Sequence, residues 1–138
     1  MYEDDSIVTL EKIVEALPKL TILAVQLHDT ATKVISSKTV YELLKISHFS
    51  NLENLRLFNI PQCFDIDCFF KYIKKNKEIK SALDFSSEIS DEYKKQLEAI
   101  VEEIVEKETH DYKVPWICFS GIDYTSFGKI KMLVSRQL

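Results

Sequence analysis

The sequence predicts an α/β fold in which helix–strand units alternate and the strands form a mainly parallel sheet. Apolar residues recur with helical spacing in several segments, and short β-rich segments stand between them. This alternation is typical of parallel strands that are joined by crossover helices. A length of 138 residues suits one continuous core, so we expect a single domain over residues 1–138.

The first half of the chain contains two predicted helix–strand units. In order, they are a helix over about 6–17, a strand over 20–27, a helix over about 38–48 and a strand over 51–60. Pro18 ends the first helix and Pro61 closes the second strand. Either Ser37 or Thr39 is expected to cap the second helix.

The second half has clearer helix starts. Asp65 can cap a helix, and Ser90 can cap another that begins with Asp91 and Glu92. The elements predicted here are, in order, a helix from residue 66, a strand over 79–85, a helix over 91–107, a strand over 116–119 and a helix over 124–134.

Two strand segments share a more specific spacing. They read Leu17-x-x-Leu20-x-Ile22-x-x-Val25 and Leu52-x-x-Leu55-x-Leu57-x-x-Ile60, and both fit the strand core of leucine-rich repeats. The later strands keep only an apolar-x-apolar centre, and the asparagine that ends the repeat signature is missing. We therefore expect a degenerate, leucine-rich-repeat-like short solenoid, with an α/β sandwich of reordered strands as the alternative.

Composition excludes several classes of function. With Gly121 and Gly128 as the only glycines, neither a G-x-G-x-x-G dinucleotide loop nor a Walker phosphate loop can occur. A net charge of −4 lacks the basic footprint of a nucleic-acid-binding protein. Three cysteines without C-x-x-C spacing argue against disulfides and zinc, and indicate an intracellular protein, cytoplasmic or nuclear. No apolar segment is long enough to span a membrane.

Candidate catalytic residues do not form a recognisable signature. His28, His48 and His110 are widely spaced, and a Cys63–His48–Asp65 set would require contacts that the sequence does not indicate. We therefore predict no enzyme activity, metal or cofactor. The alternative is a small α/β enzyme with a site at the carboxyl ends of the strands, near these residues: Asp29, Asn59, Ser87 and Asp123.

Alternation along the strands predicts a binding surface. If Leu55 and Leu57 enter the core, the opposite face carries Asn54, Arg56 and Phe58, together with Thr21, Leu23, Ala82, Asp84, Trp116 and Cys118. Aromatic and arginine side chains are the residue types that anchor protein interfaces. We predict partner binding by Arg56, Phe58, Asp84 and Trp116. The alternative is that a further layer buries this face, as is usual for parallel sheets.

One basic run stands out between residues 71 and 80. It contains Lys71, Lys74, Lys75, Lys77 and Lys80. Lysines are favoured near a helix C-terminus, and the run can also face the acidic helix over 91–107. Its functional interpretations are an electrostatic patch for an acidic protein partner and, as a further alternative, direct RNA binding.

The first strand is apolar enough to require cover. An uncovered outer strand invites pairing with another chain, so self-association through this edge is an expectation. On this interpretation Leu23→Lys changes the oligomeric state.

Three sequence blocks together resemble a known domain. They are F-D-I-D-x-F-F over 64–70, S-D-E-Y-K-x-Q-L over 90–97 and D-Y-K-x-P-W-I over 111–117. As a set they resemble the FTH domain, the feminisation-of-germline homology domain of nematode F-box proteins, and the resemblance covers about residues 38–122. It implies an intracellular module that recruits a target protein, such as an RNA-binding regulator. In full-length relatives an F-box joins that target to a Skp1–cullin ubiquitin ligase, and we expect no F-box in these 138 residues.

Overall fold

The computed structural model of the chain describes residues 9–27 and 34–137. Its helices are α1 (Leu10–Glu15), α2 (Thr39–Lys45), α3 (Ile66–Lys75), α4 (Asp91–Val105) and α5 (Tyr124–Ser135). Its strands are β1 (Ile22–Gln26), β2 (Asn54–Ile60), β3 (Lys80–Phe85) and β4 (Trp116–Cys118), and a short 3-10 helix covers Ser47–Asn51. The alternation of helices and strands that the sequence predicts is confirmed.

The four strands form one parallel sheet in the order β1-β2-β3-β4. Because each strand lies beside the next one along the chain, right-handed crossovers place the connecting helices on the same side of the sheet. Consecutive helices from α1 to α5 also contact one another, as one layer requires. The predicted parallel sheet is confirmed and the reordered sheet is wrong, while the solenoid character stays a prediction.

Two of the predicted helix caps are present. Asp65 accepts a hydrogen bond from the Cys68 amide at 3.1 Å and thereby caps α3. Ser90 accepts one from the Tyr93 amide at 3.2 Å and caps α4. Each side chain satisfies one of the backbone N–H groups that a helix start leaves without a partner within the helix.

The cap predicted for α2 is wrong. Lys38 occupies the cap position and supplies no side-chain bond. Thr39 is already helical, and its hydroxyl accepts a hydrogen bond from the Ser36 amide at 2.8 Å. The threonine therefore stabilises the turn that enters the helix, because its side chain points back along the chain.

The core lies between the sheet and the helical layer. Leu57, Leu83 and Ile117 enter it from adjacent strands and are almost fully buried. From the helical side, Phe69 packs against Phe64 with ring centroids 5.6 Å apart. The layer order places these apolar side chains on one face of the sheet and leaves the alternate residues on the other.

The register of β1 differs from the sequence prediction. Leu23 pairs with Leu55 and Val25 pairs with Leu57, so both residues face the core. Ile22 lies on the opposite face and is 62% exposed. The prediction that Leu23 points away from the core is therefore wrong. A shift of one residue exchanges the two faces of a strand, and β1 has apolar residues at both sets of positions.

This register also affects the proposed repeat. The sequence alignment makes Leu20 and Ile22 equivalent to Leu55 and Leu57, whereas the sheet pairs Ile22 with Asn54. Because Leu17 is also exposed, the first copy of the repeat spacing does not describe the core positions of β1. The second copy does, since Leu52, Leu55, Leu57 and Ile60 are all buried.

Candidate binding groove on the open sheet face

The face of the sheet opposite the core is open among the described residues. It carries Ile22, Ala24, Gln26, Asn54, Arg56, Phe58, Lys80, Ala82, Asp84, Trp116 and Cys118. All of these residues are half-buried or exposed. The predicted outward positions of β2, β3 and β4 are confirmed, and no described layer buries this face.

Part of the open face forms a groove of about 440 Å³. It is lined by Asn54, Arg56, Phe58, Lys80, Ser81, Ala82, Asp84, Trp116 and Val134. The structure therefore brings the predicted residues Arg56, Phe58, Asp84 and Trp116 together. Concave, largely apolar surfaces with a few placed polar groups are typical of binding sites.

One wall of the groove comes from α5, which sequence reasoning did not assign to the site. The Phe127 ring lies edge-on against the Trp116 ring, with centroids 5.3 Å apart and planes at 78°. Val134, near the end of the same helix, completes the wall. This packing holds the Trp116 side chain against β4, so the wall is formed before any partner binds.

The pairing of the strands arranges the groove residues in rows. Arg56, Ala82 and Trp116 occupy one row across β2, β3 and β4. The methyl group of Ala82 is much smaller than its two neighbours, so the centre of the row is a depression. Lys80 lies beside Asn54 toward the amino ends of the strands.

The two ends of the groove have opposite charge. Arg56 and Lys80 supply the positive end, and neither has an ion-pair partner within 4.0 Å among the described residues. Asp84 lies toward the other end, where partial burial raises the pKa of its carboxyl group. Cys118 pairs with Asp84 across the sheet, and burial together with this carboxylate raises the pKa of the Cys118 thiol.

The raised Asp84 pKa gives a testable pH dependence. The folded state binds the proton more tightly than the unfolded chain, so this group favours folding at acid pH and loses that contribution as the pH rises. We expect Asp84→Asn to raise the thermal midpoint at neutral pH. At about pH 3, below the ordinary aspartate pKa, the difference from the parent should disappear.

Asp111→Asn is the matched control for this experiment. Lys77 donates a hydrogen bond to Asp111 at 2.6 Å and lowers the pKa of that carboxyl group. The stabilising contribution of Asp111 is present at neutral pH and is lost as the pH falls, so its asparagine variant should be the less stable one at neutral pH. If Asp84→Asn lowers the midpoint at neutral pH, as Asp111→Asn is expected to do, the assigned environment of Asp84 is wrong.

The basic run is divided between paired and exposed lysines. Lys74 contacts Glu103 of α4 at 2.8 Å, and Lys77 contacts Asp111 at 2.6 Å. Contact with the acidic helix is thus observed for Lys74. Lys71 and Lys75 are exposed on α3. The predicted electrostatic patch is reduced by these ion pairs, and Lys80 belongs to the groove instead.

The Cys63–His48–Asp65 set, for which the sequence indicates no contacts, is not assembled in the structure either. Cys63 donates a weak hydrogen bond to the Ile35 carbonyl at 3.5 Å, and burial raises the pKa of its thiol. His48 Nε2 lies 2.7 Å from the Val14 carbonyl, while Asp65 caps α3. His110 bonds within its own segment, to the Ile104 carbonyl, and His28 lies outside the described residues.

The residues proposed for a site at the strand ends are also separated by role. Asp123 caps α5 by accepting a hydrogen bond from the Ser126 amide, and Ser87 is exposed. Asp29 lies outside the described residues. Within residues 9–27 and 34–137, no three histidine, cysteine or carboxylate side chains are grouped to hold a metal ion.

Asn59 has a structural role at the end of β2. Its φ is 64°, at an irregularity in the pairing of β2 with β3, and its side-chain amide donates to the Leu27 carbonyl at 2.8 Å.

We expect Asn59→Ala to lower the free energy of unfolding by about 1–3 kcal/mol, through backbone strain and the lost hydrogen bond. Asn59→Gly should cost less, because glycine adopts positive φ freely. Chemical denaturation checks this, and an equal cost for both variants would contradict it.

Comparison with known protein families, curated proteins and solved structures found no match to this chain. In the part of the chain that the structure describes, no helix combines the length and apolar character needed to cross a membrane.

Proposed function

We propose that this chain is a non-enzymatic protein-interaction module that holds its partner in the groove of the open sheet face. The observation that carries the proposal is the grouping of Arg56, Phe58 and Trp116 around one groove, beside an uncovered sheet. Tryptophan and arginine are over-represented among the residues that dominate binding energy at protein interfaces.

The resemblance to the FTH domain agrees with this role and makes it more specific. An intracellular adaptor of a Skp1–cullin ubiquitin ligase would use such a module to recruit its target, for example an RNA-binding regulator. The three resembling blocks contain mostly caps and core residues, such as Asp65, Phe69 and Ser90, and Trp116 is their one contribution to the groove. They therefore support the fold more directly than the identity of the target.

A differential capture experiment tests the proposal. The parent chain, an Arg56→Ala/Phe58→Ala variant and a Lys71→Ala/Lys75→Ala control are used to capture proteins from a cell lysate, and mass spectrometry identifies what each retains. Trp116 is left intact because Phe127 packs against it and its removal would disturb α5. The control removes two exposed side chains from the helical layer.

We expect a protein that the parent and the control retain and the groove variant loses. Circular dichroism and the thermal midpoint must show that the groove variant is folded. A partner that all three chains retain equally, or that only the lysine control loses, would place binding elsewhere and contradict the proposal.

A further inference from the structure

The groove combines a small apolar depression with two cationic side chains. Ala82 forms its floor, and the side chains of Phe58, Trp116 and Val134 stand around it. Phe127 holds Trp116 in place. An apolar side chain of moderate size would be removed from water here. The groove residues would lose little conformational entropy, because the wall is already formed.

The two groove cations differ from three lysines elsewhere in the described chain that are already paired. Lys74, Lys77 and Lys129 each contact a carboxylate at 2.6–2.8 Å. Arg56 and Lys80 have no such partner among the described residues, although they share one face of adjacent strands. Arg56 and Lys80 are one strand and two residues apart. The strand spacing and the rise per residue therefore place their Cα atoms roughly 8 Å apart. Two long side chains at this separation can converge on one carboxylate.

The opposite end of the groove argues against a polyanion. Asp84 is half-buried there, and a row of phosphates that follows the groove would bring negative charge against it. The whole chain also carries a net charge of −4, which opposes the long-range attraction of nucleic acid. A peptide avoids this conflict, because its backbone N–H groups and hydroxyls can donate to the Asp84 carboxylate while an acidic side chain lies at the other end.

We propose that the occupant is an acidic peptide segment of the partner protein, with an apolar side chain in the depression over Ala82 and a carboxylate between Arg56 and Lys80. This inference rests on the proposed function and specifies the chemistry of the partner. β2 and β3, which form the floor of the groove, are paired with a strand on each side, so recognition at the floor depends on side chains.

A peptide selection tests this chemistry directly. Short random peptides displayed on phage are selected on the parent chain. Selected peptides are synthesised and titrated while the emission of Trp116 is recorded. Since Trp116 is the only tryptophan of the chain and lines the groove, its emission reports occupancy. Light scattering follows the mass, and a uridine oligonucleotide is titrated in parallel.

The expected result is enrichment of peptides that place aspartate or glutamate near a bulky apolar residue. Their binding should change Trp116 emission and weaken at least about tenfold in Arg56→Glu/Lys80→Glu. Lys71→Glu/Lys75→Glu makes the same charge change on exposed positions of α3 and should bind as the parent does.

Five outcomes would overturn the inference. Peptides without acidic residues that still change Trp116 emission and require Phe58 would refute the acidic partner but leave the protein-binding groove intact. Peptides that bind without affecting Trp116 emission would count against both the inference and the groove. The failure to select any peptide would count against the inference alone. Tight oligonucleotide binding through Arg56 and Lys80, or dimerisation that blocks the groove, would identify a different occupant.

Discussion

Replacing Leu57 by alanine is expected to lower the free energy of unfolding by about 2–5 kcal/mol. Leu57 lies in the centre of β2, is 0% exposed and packs between the sheet and the helical layer. Its truncation removes apolar contacts and leaves a cavity that the neighbouring elements cannot fill. Urea denaturation, followed by circular dichroism, measures the change.

The matched control for Leu57→Ala is Arg56→Ala, one residue earlier on the same strand. Arg56 is exposed on the open face, so its removal should change the free energy of unfolding by no more than about 0.5 kcal/mol. The contrast between adjacent residues tests whether β2 separates a buried face from an open one. Comparable losses for both variants would show that a further layer covers the open face.

Leu23→Lys is expected to lower the free energy of unfolding by about 2–3 kcal/mol, whereas Ile22→Lys should change it by no more than about 0.5 kcal/mol. Leu23 packs against the core, and a lysine there loses apolar contacts and brings an ammonium group to the edge of the core. Ile22 is mostly exposed on the other face. Thermal and urea denaturation of both variants measures the difference.

The reverse order of stability would show that the register of β1 is shifted by one residue. The same pair of variants clarifies the predicted self-association. Ile22→Lys changes the exposed surface of the edge strand, whereas Leu23→Lys does not. The mass of the Ile22→Lys variant, compared with that of the parent by light scattering, therefore tests self-association through this edge.

The parts of the fold that the sequence predicts correctly are determined locally. Asp65 and Ser90 cap their helices through bonds that span only three residues, and the apolar stripes of α3 and α4 have unambiguous helical spacing. Within β2, the contrast between Leu57 and its polar neighbour Arg56 is equally clear. The four predicted groove residues were found by this alternation, since strands that pair in parallel align their open positions.

Apart from the local α2 cap, the features that the sequence predicts incorrectly or misses depend on contacts between distant segments. β1 is apolar at both sets of alternate positions, so only its pairing with β2 decides that Leu23 faces the core. The contribution of Phe127 and Val134 to the groove depends on how α5 packs against β4. The partner of Lys77 likewise comes from a distant segment that the sequence analysis did not name, whereas the predicted contact of the basic run with the acidic helix is observed for Lys74.

The most direct test of the groove as the binding surface is photo-crosslinking from two aromatic positions. Phe58, which lines the groove, and Tyr41, which is 59% exposed on α2, are replaced separately by benzoyl-phenylalanine in otherwise parental chains. After irradiation in a cell lysate, we expect a specific crosslinked protein from position 58 and none from position 41. Crosslinks from position 41 with none from position 58 would show that partners bind the helical layer, and would contradict the account.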